Sequence, residues 1–187
     1  MKLIRNRKLA ILITVVVVVI ATLIGVWGSL NKLARQAEAV FYSDSYAGAD
    51  GINQRGIFSH LGVIANNTLG LASMPAVSTE LRSEVEELLS ARGLLISAMN
   101  VRDIRSMGSA FTAVQQAFYT LEAKLQRLEF SPTDKSDIDG YISSFKGAST
   151  AISTSSYNEF AAAYLDDASF LARIISPILY IKPPQKF

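Results

Sequence analysis

The sequence predicts an all-α chain: a single N-terminal transmembrane helix followed by an antiparallel four-helix-bundle-like domain. Three observations carry this expectation. The 22-residue run Leu9 to Leu30 contains no charged residue. Beyond it, apolar residues recur at intervals of three and four nearly to the end of the chain, the period of one helix face. No stretch shows the two-residue alternation or the tight-turn residues of a hairpin. The division that follows is a basic N-terminus over 1–8, a membrane helix over 9–30 and a helical domain over 31–187.

The first element is justified by length. At 1.5 Å per residue the uncharged run reaches ~33 Å as a helix, against ~30 Å of hydrocarbon. Its centre, Ile11 to Ile20, is nearly all β-branched. Such residues form helices weakly in water, but in lipid the backbone must satisfy its own hydrogen bonds. Trp27 stands near the far end of the run, where an indole prefers the membrane interface. A cleaved signal peptide is the competing reading. Its apolar region usually spans ~7–15 residues and ends at an A-x-A-like site. This run is longer, and no such site occurs between Gly25 and Leu33, so an uncleaved anchor is expected.

Charge orients the anchor. Lys2, Arg5, Arg7 and Lys8 precede it, whereas its other flank (Lys32, Arg35, Glu38) is nearly neutral. By the positive-inside rule the N-terminus is cytoplasmic and the domain extracytoplasmic, in a single pass through the cell membrane. The same residues explain the sequence pI of about 8.9. Four of the 18 basic residues precede the run and all 16 acidic residues follow it, leaving a domain of formal charge −2. Such a domain has no electrostatic footprint for a phosphate backbone, so no nucleic acid is expected as partner. Cysteine is absent, which excludes disulfides, thiolate metal sites, cysteine nucleophiles and lipid acylation at cysteine.

The domain's helices follow in order. An amphipathic segment runs from Leu33 to about Tyr46, and the small, polar stretch 47–51 then breaks it as a kink or a loop. A second helix spans about Ile52 to Ala72, with Ile57, Leu61, Ile64 and Leu71 on its apolar face. Ser78 or Thr79 caps the next, whose stripe is Leu81, Val85, Leu88, Leu95 and Met99. A heptad seam then runs through Ile104, Met107, Phe111, Val114, Phe118, Leu121, Leu125 and Leu128. Ser131-Pro132 reads as a stop and a fresh cap for a helix bearing Ile138, Tyr141, Phe145, Ala148 and Ile152. A last helix carries Tyr157, Ala161, Tyr164, Ala168, Leu171, Ile175 and Ile178 before Pro183 and Pro184.

The inventory for chemistry is thin. His60 is the one histidine, beside the Leu61/Ile64 stripe, and reads as structural or exposed. No HExxH, P-loop or GxGxxG pattern occurs. Bundles can hold two metals through Glu and Glu-x-x-His pairs, but no Glu-x-x-His exists here. Glu84, Glu86 and Glu87 read as a solvated face, and Asp134, Asp137 and Asp139 as complements to a helix dipole. The group Ser149 to Ser156 reads as a frayed helix end. No catalytic residue, metal site or cofactor is expected. One residue breaks the pattern: Arg92 falls inside its helix's apolar stripe, four after Leu88 and three before Leu95. It must pair with a carboxylate, or snorkel out to face a ligand or partner.

Taken together these residues resemble the LemA family of bacterial membrane proteins. The resemblance spans the short basic N-terminus, one anchor, a long first helix and a helical bundle. Its local marks are Arg55 leading into Ile64-Ala65-Asn66-Asn67-Thr68-Leu69, the pair Ala91-Arg92, the pair Tyr157-Asn158 opening the last helix, and the ending Ile181-Lys182-Pro183-Pro184-Gln185-Lys186-Phe187. The chain departs from the family at Tyr164-Leu165, Phe170-Leu171 and Tyr180. The resemblance implies a bundle outside the membrane without an established enzymatic activity. The expected role is a non-catalytic, membrane-anchored interaction or scaffold module of a bacterial envelope. The partners expected are the lipid bilayer and an envelope protein, with a homo-oligomer among the allowed assemblies. A small-ligand sensor signalling through a partner is the alternative. The apolar tail Ile178, Leu179, Tyr180, Ile181 and Phe187 can dock on its own bundle, on the bilayer surface or on a partner, and its own bundle is the favoured place.

Overall fold

The computed structural model describes residues 7–43, 46–47, 53–159, 161–162 and 187. Its first element, α1, spans Arg7–Tyr42 as one helix of 36 residues. The separate amphipathic helix expected after the anchor is the continuation of α1. Nothing between Asn31 and Tyr42 interrupts it: the segment lacks Gly and Pro and is rich in Ala, Leu, Arg, Gln and Glu. The helix is long and apolar enough to cross a membrane, with mean hydropathy 3.1 over its most apolar stretch and no burial there. Its character changes over the last turns, where Ala37, Val40 and Phe41 are buried in the domain core.

The chain reverses after Tyr42. Tyr46–Ala47 (β1) and Asn53–Gln54 (β2) form a two-residue antiparallel ladder, with Tyr46 opposite Gln54 and Ala47 opposite Asn53. The 47–51 segment is therefore not a kink in a continuing helix, and its residues 48–51 lie outside the described residues. Gly56 closes the reversal, its N–H donating to the Ser43 carbonyl at 2.8 Å. A β-carbon on Gly56 would lie 2.8 Å from the Phe41 carbonyl oxygen, so this approach to the end of α1 requires glycine.

Among the described residues there follow α2 (Ile57–Ala72), α3 (Pro75–Glu80), α4 (Arg82–Val101), α5 (Ile104–Leu125) and α6 (Pro132–Ser153), with helical backbone again at 157–159 and 161–162. Two starts differ from expectation. Helix α2 begins five residues after Ile52, because β2 and Gly56 occupy the intervening chain. Ser78 and Thr79 lie inside α3, which starts with Pro75 in its first turn, where a fixed φ and a missing N–H cost nothing. Leu81, at φ −125° and ψ 47°, separates α3 from α4. The start of α6 is as the sequence reads: the Ser131 hydroxyl accepts the Asp134 N–H at 3.1 Å, with Pro132 beside it. Helix α4 ends on Arg102 in the left-handed region (φ 53°), with its N–H and that of Asp103 returning to the Met99 and Ala98 carbonyls.

The apolar stripes meet in one core. Leu61, Ile64 and Leu71 of α2, Leu88 and Leu95 of α4, and Met107, Val114, Phe118 and Leu121 of α5 are fully buried. Ile138, Phe145, Ala148 and Ile152 of α6 complete it, and Phe118 stacks on Phe145 with ring centroids 3.6 Å apart. Contacts run between α4 and α5, between α2 and both α4 and α6, and between α1 and α2. After α6 the described chain includes Tyr157, whose ring lies edge-on to Phe41 at 5.0 Å. The remainder of the expected last helix, Tyr164 to Ile178, and the tail residues 178–181 lie outside the described residues.

Candidate functional site

The helical stripes position a set of polar side chains between helices, and Arg92 is one of them. Its neighbours along the stripe, Leu88 and Leu95, are fully buried, and Arg92 is half-buried. Its Nε donates to the backbone carbonyl of Ala65 on α2 at 2.7 Å. The buried Thr68 hydroxyl donates to the same oxygen at 3.0 Å. A guanidinium suits this position because its fixed planar fork aims a donor at the carbonyl while the stem covers apolar surface. The partner is thus a carbonyl; the ion pairs among the described residues are Arg82–Glu86, Lys124–Glu84 and Lys146–Glu122.

The resemblance positions distribute over three joints. Asn67 donates from Nδ2 to the Ser144 hydroxyl at 2.8 Å, joining α2 to α6. Arg92 joins α4 to α2. Asn158 accepts the Phe187 N–H on its Oδ1 at 3.3 Å. Tyr157, beside it, is buried against Phe41, and burial together with the Tyr42 hydroxyl nearby pushes its pKa up to about 12. Asn66 and Arg55 are exposed. Burial lowers the pKa of His60, and the positive charge of Arg55 adds to the effect. Trp27 is 44% exposed on α1.

Two further joints escape a pattern search for catalytic motifs. Glu122 is buried and bonded to Lys146 Nζ at 2.6 Å, joining α5 to α6. It falls four after Phe118 and three before Leu125, the same in-stripe signal that singles out Arg92. Gln115 donates to the Ser149 hydroxyl at 2.6 Å. Ser149 is buried inside α6, which continues to Ser153, so this part of the serine and threonine group is helix interior and not a frayed end. Glu84, read as solvated, pairs with Lys124 across α4 and α5, and that hydrogen bond holds its carboxyl below the usual range.

The arrangement fastens helices to one another. Among the described residues no three His, Asp or Glu side chains cluster in a way that could hold a metal. What the surface offers is an open groove of about 550 Å³ along the outer side of α4 and α5, floored by Ala98, Ala110 and Ala113. Leu94 and Val101 rise from its edge, 61% and 73% exposed, beside Arg105. No family model matches the chain, and no curated protein and no solved structure matches it.

Proposed function

We propose that this chain is a non-catalytic, membrane-anchored helical-bundle protein of a bacterial envelope, similar to the LemA family, that serves as an interaction or scaffold module. Its N-terminus is cytoplasmic and its bundle extracytoplasmic. We read the helix contacts as an antiparallel four-helix bundle closed in the order α2, α4, α5, α6. Glu84 near the start of α4 meets Lys124 near the end of α5, and Gln115 and Glu122 of α5 meet Ser149 and Lys146 of α6. Asn67 and Arg92 close the ring through α2.

The observation that carries the interaction reading is the outer face of α4 and α5. Leu94 and Val101 stand there in the open over a floor of alanines. Exposed apolar side chains grouped along a groove favour a covering surface. Absence of cysteine makes a direct test simple. A photo-crosslinking residue at position 94 or 101 should form one discrete adduct in intact cells, and the same residue at exposed Ser143 on α6 should not. Recovery of no discrete adduct from either groove position under any growth condition would refute the interaction reading. Ser143→Cys should react with a membrane-impermeant maleimide in intact cells; reaction only after lysis would reverse the orientation.

A further inference from the structure

Residue 187 is held by three parts of the chain that are remote from it in sequence. Its ring lies 5.5 Å from that of Phe41 on α1 and 5.8 Å from that of Phe111 on α5. Its backbone N–H donates to Asn158 Oδ1 at 3.3 Å. On the α5 side the contact depends on Gly108: a β-carbon there would lie 3.0 Å from the Phe187 carbonyl carbon. Phe41 and Phe111 are buried, at 0% and 7% exposure, whereas Phe187 is only half-buried and Asn158 is exposed.

We propose that Phe41, Gly108, Phe111 and Asn158 form a binding socket for an aromatic residue, and that Phe187 is its resident, releasable ligand. Each wall has a separate task. The two rings supply tilted aromatic faces, which attract an aromatic edge beyond simple burial. Gly108 supplies the room for the ligand's backbone, and the Asn158 amide reads a backbone N–H. An aliphatic side chain would fill the space without the ring contacts, and a proline would lack the N–H. The occupant is half-buried at the edge of the core and makes one long hydrogen bond to an exposed side chain, which suits it to release. Phe41 lies in the last turn of α1, which gives the socket a direct line to that helix. The assignment holds whichever side of the membrane the bundle occupies.

The test places 4-fluorophenylalanine site-specifically at position 187 of the full chain in lipid nanodiscs and reads its 19F resonance. The resonance should be displaced from its position in the denatured chain. Gly108→Leu fills the socket and should return the signal to the denatured position. Gly147→Leu, at an exposed α6 position with open space around it, should leave it in place. Asn158→Ala, which alters only an exposed side chain, should move it part of the way. A parent signal already at the denatured position overturns the proposal. So does a signal that neither Gly108→Leu nor Asn158→Ala moves while circular dichroism shows the helices intact. Should Gly108→Leu unfold the bundle, the response to Asn158→Ala decides alone.

Discussion

The oxygen of Ala65 receives two side-chain donors, and this makes the Arg92 joint testable by its energetics. Arg92 Nε donates at 2.7 Å and the Thr68 hydroxyl at 3.0 Å. Losing a hydrogen bond from a charged donor costs about 1.5–3 kcal/mol, and Arg92→Ala also removes the stem that covers the apolar stripe. A cost of about 2–3 kcal/mol follows for Arg92→Ala, or roughly 4–12 °C in Tm for a domain of this size. Thr68→Val keeps the shape and removes one neutral hydrogen bond, at about 1 kcal/mol. Arg92→Leu loses the same bond as Arg92→Ala but restores an apolar residue between Leu88 and Leu95. It should recover about 1 kcal/mol of that loss. Each single change leaves the carbonyl one side-chain donor; the double change leaves neither. The double variant Arg92→Ala/Thr68→Val should therefore exceed the sum of the singles by about 0.5 kcal/mol or more. Urea unfolding of the full chain in detergent micelles, followed by far-UV circular dichroism, measures all four. Strict additivity, or an Arg92→Leu as costly as Arg92→Ala, would refute the shared-acceptor account.

Three other outcomes are expected. Leu95→Ala removes a fully buried side chain facing the core and should cost about 2–5 kcal/mol in the same urea assay. Gly70→Ala should destabilise, since its β-carbon would lie 2.6 Å from Cζ of Tyr141; in a Tyr141→Ser background the same change should be neutral or stabilising, as alanine is the better helix former. His60 has a folded pKa below its ordinary value, so the unfolded chain takes up its proton first on acidification. That contribution to stability is present above about pH 6.5 and is lost as pH falls through the folded pKa. His60→Gln should flatten the decline of Tm between neutral and mildly acid pH, and an unchanged slope would show that His60 does not drive it.

The helices are legible in the sequence because each apolar stripe is a local signal: six of the eight seam positions are buried, while Ile104 at the start of α5 and Leu128, past its end, are half-buried. Boundaries were less legible where a backbone contact decides them. The Gly56 approach to Ser43 and Phe41 pushes the start of α2 to Ile57, and no periodicity encodes a meeting of residues 13 or more apart. Arg92 is visible as an interruption of a stripe, but its acceptor is a main-chain oxygen, which a sequence cannot display. Glu122 carries the same in-stripe signature as Arg92, but its partner Lys146 lies 24 residues away on another helix, which no local pattern displays. The Phe187 contacts join residues from four distant parts of the chain, and no local pattern displays such a meeting.

The unbroken α1 has a geometric consequence for whatever meets this protein. With the uncharged run to Leu30 inside a bilayer, the remaining 12 residues to Tyr42 set a standoff of ~18 Å, at 1.5 Å per residue. The 22-residue α5 adds ~33 Å above that if it stands parallel. In that placement the helix has no break at the lipid surface, so the domain's attitude would follow that of α1. An average tilt of ~20° would carry the far end ~17 Å sideways. In a bilayer the tilt of α1 would thereby set where the α4/α5 groove is presented.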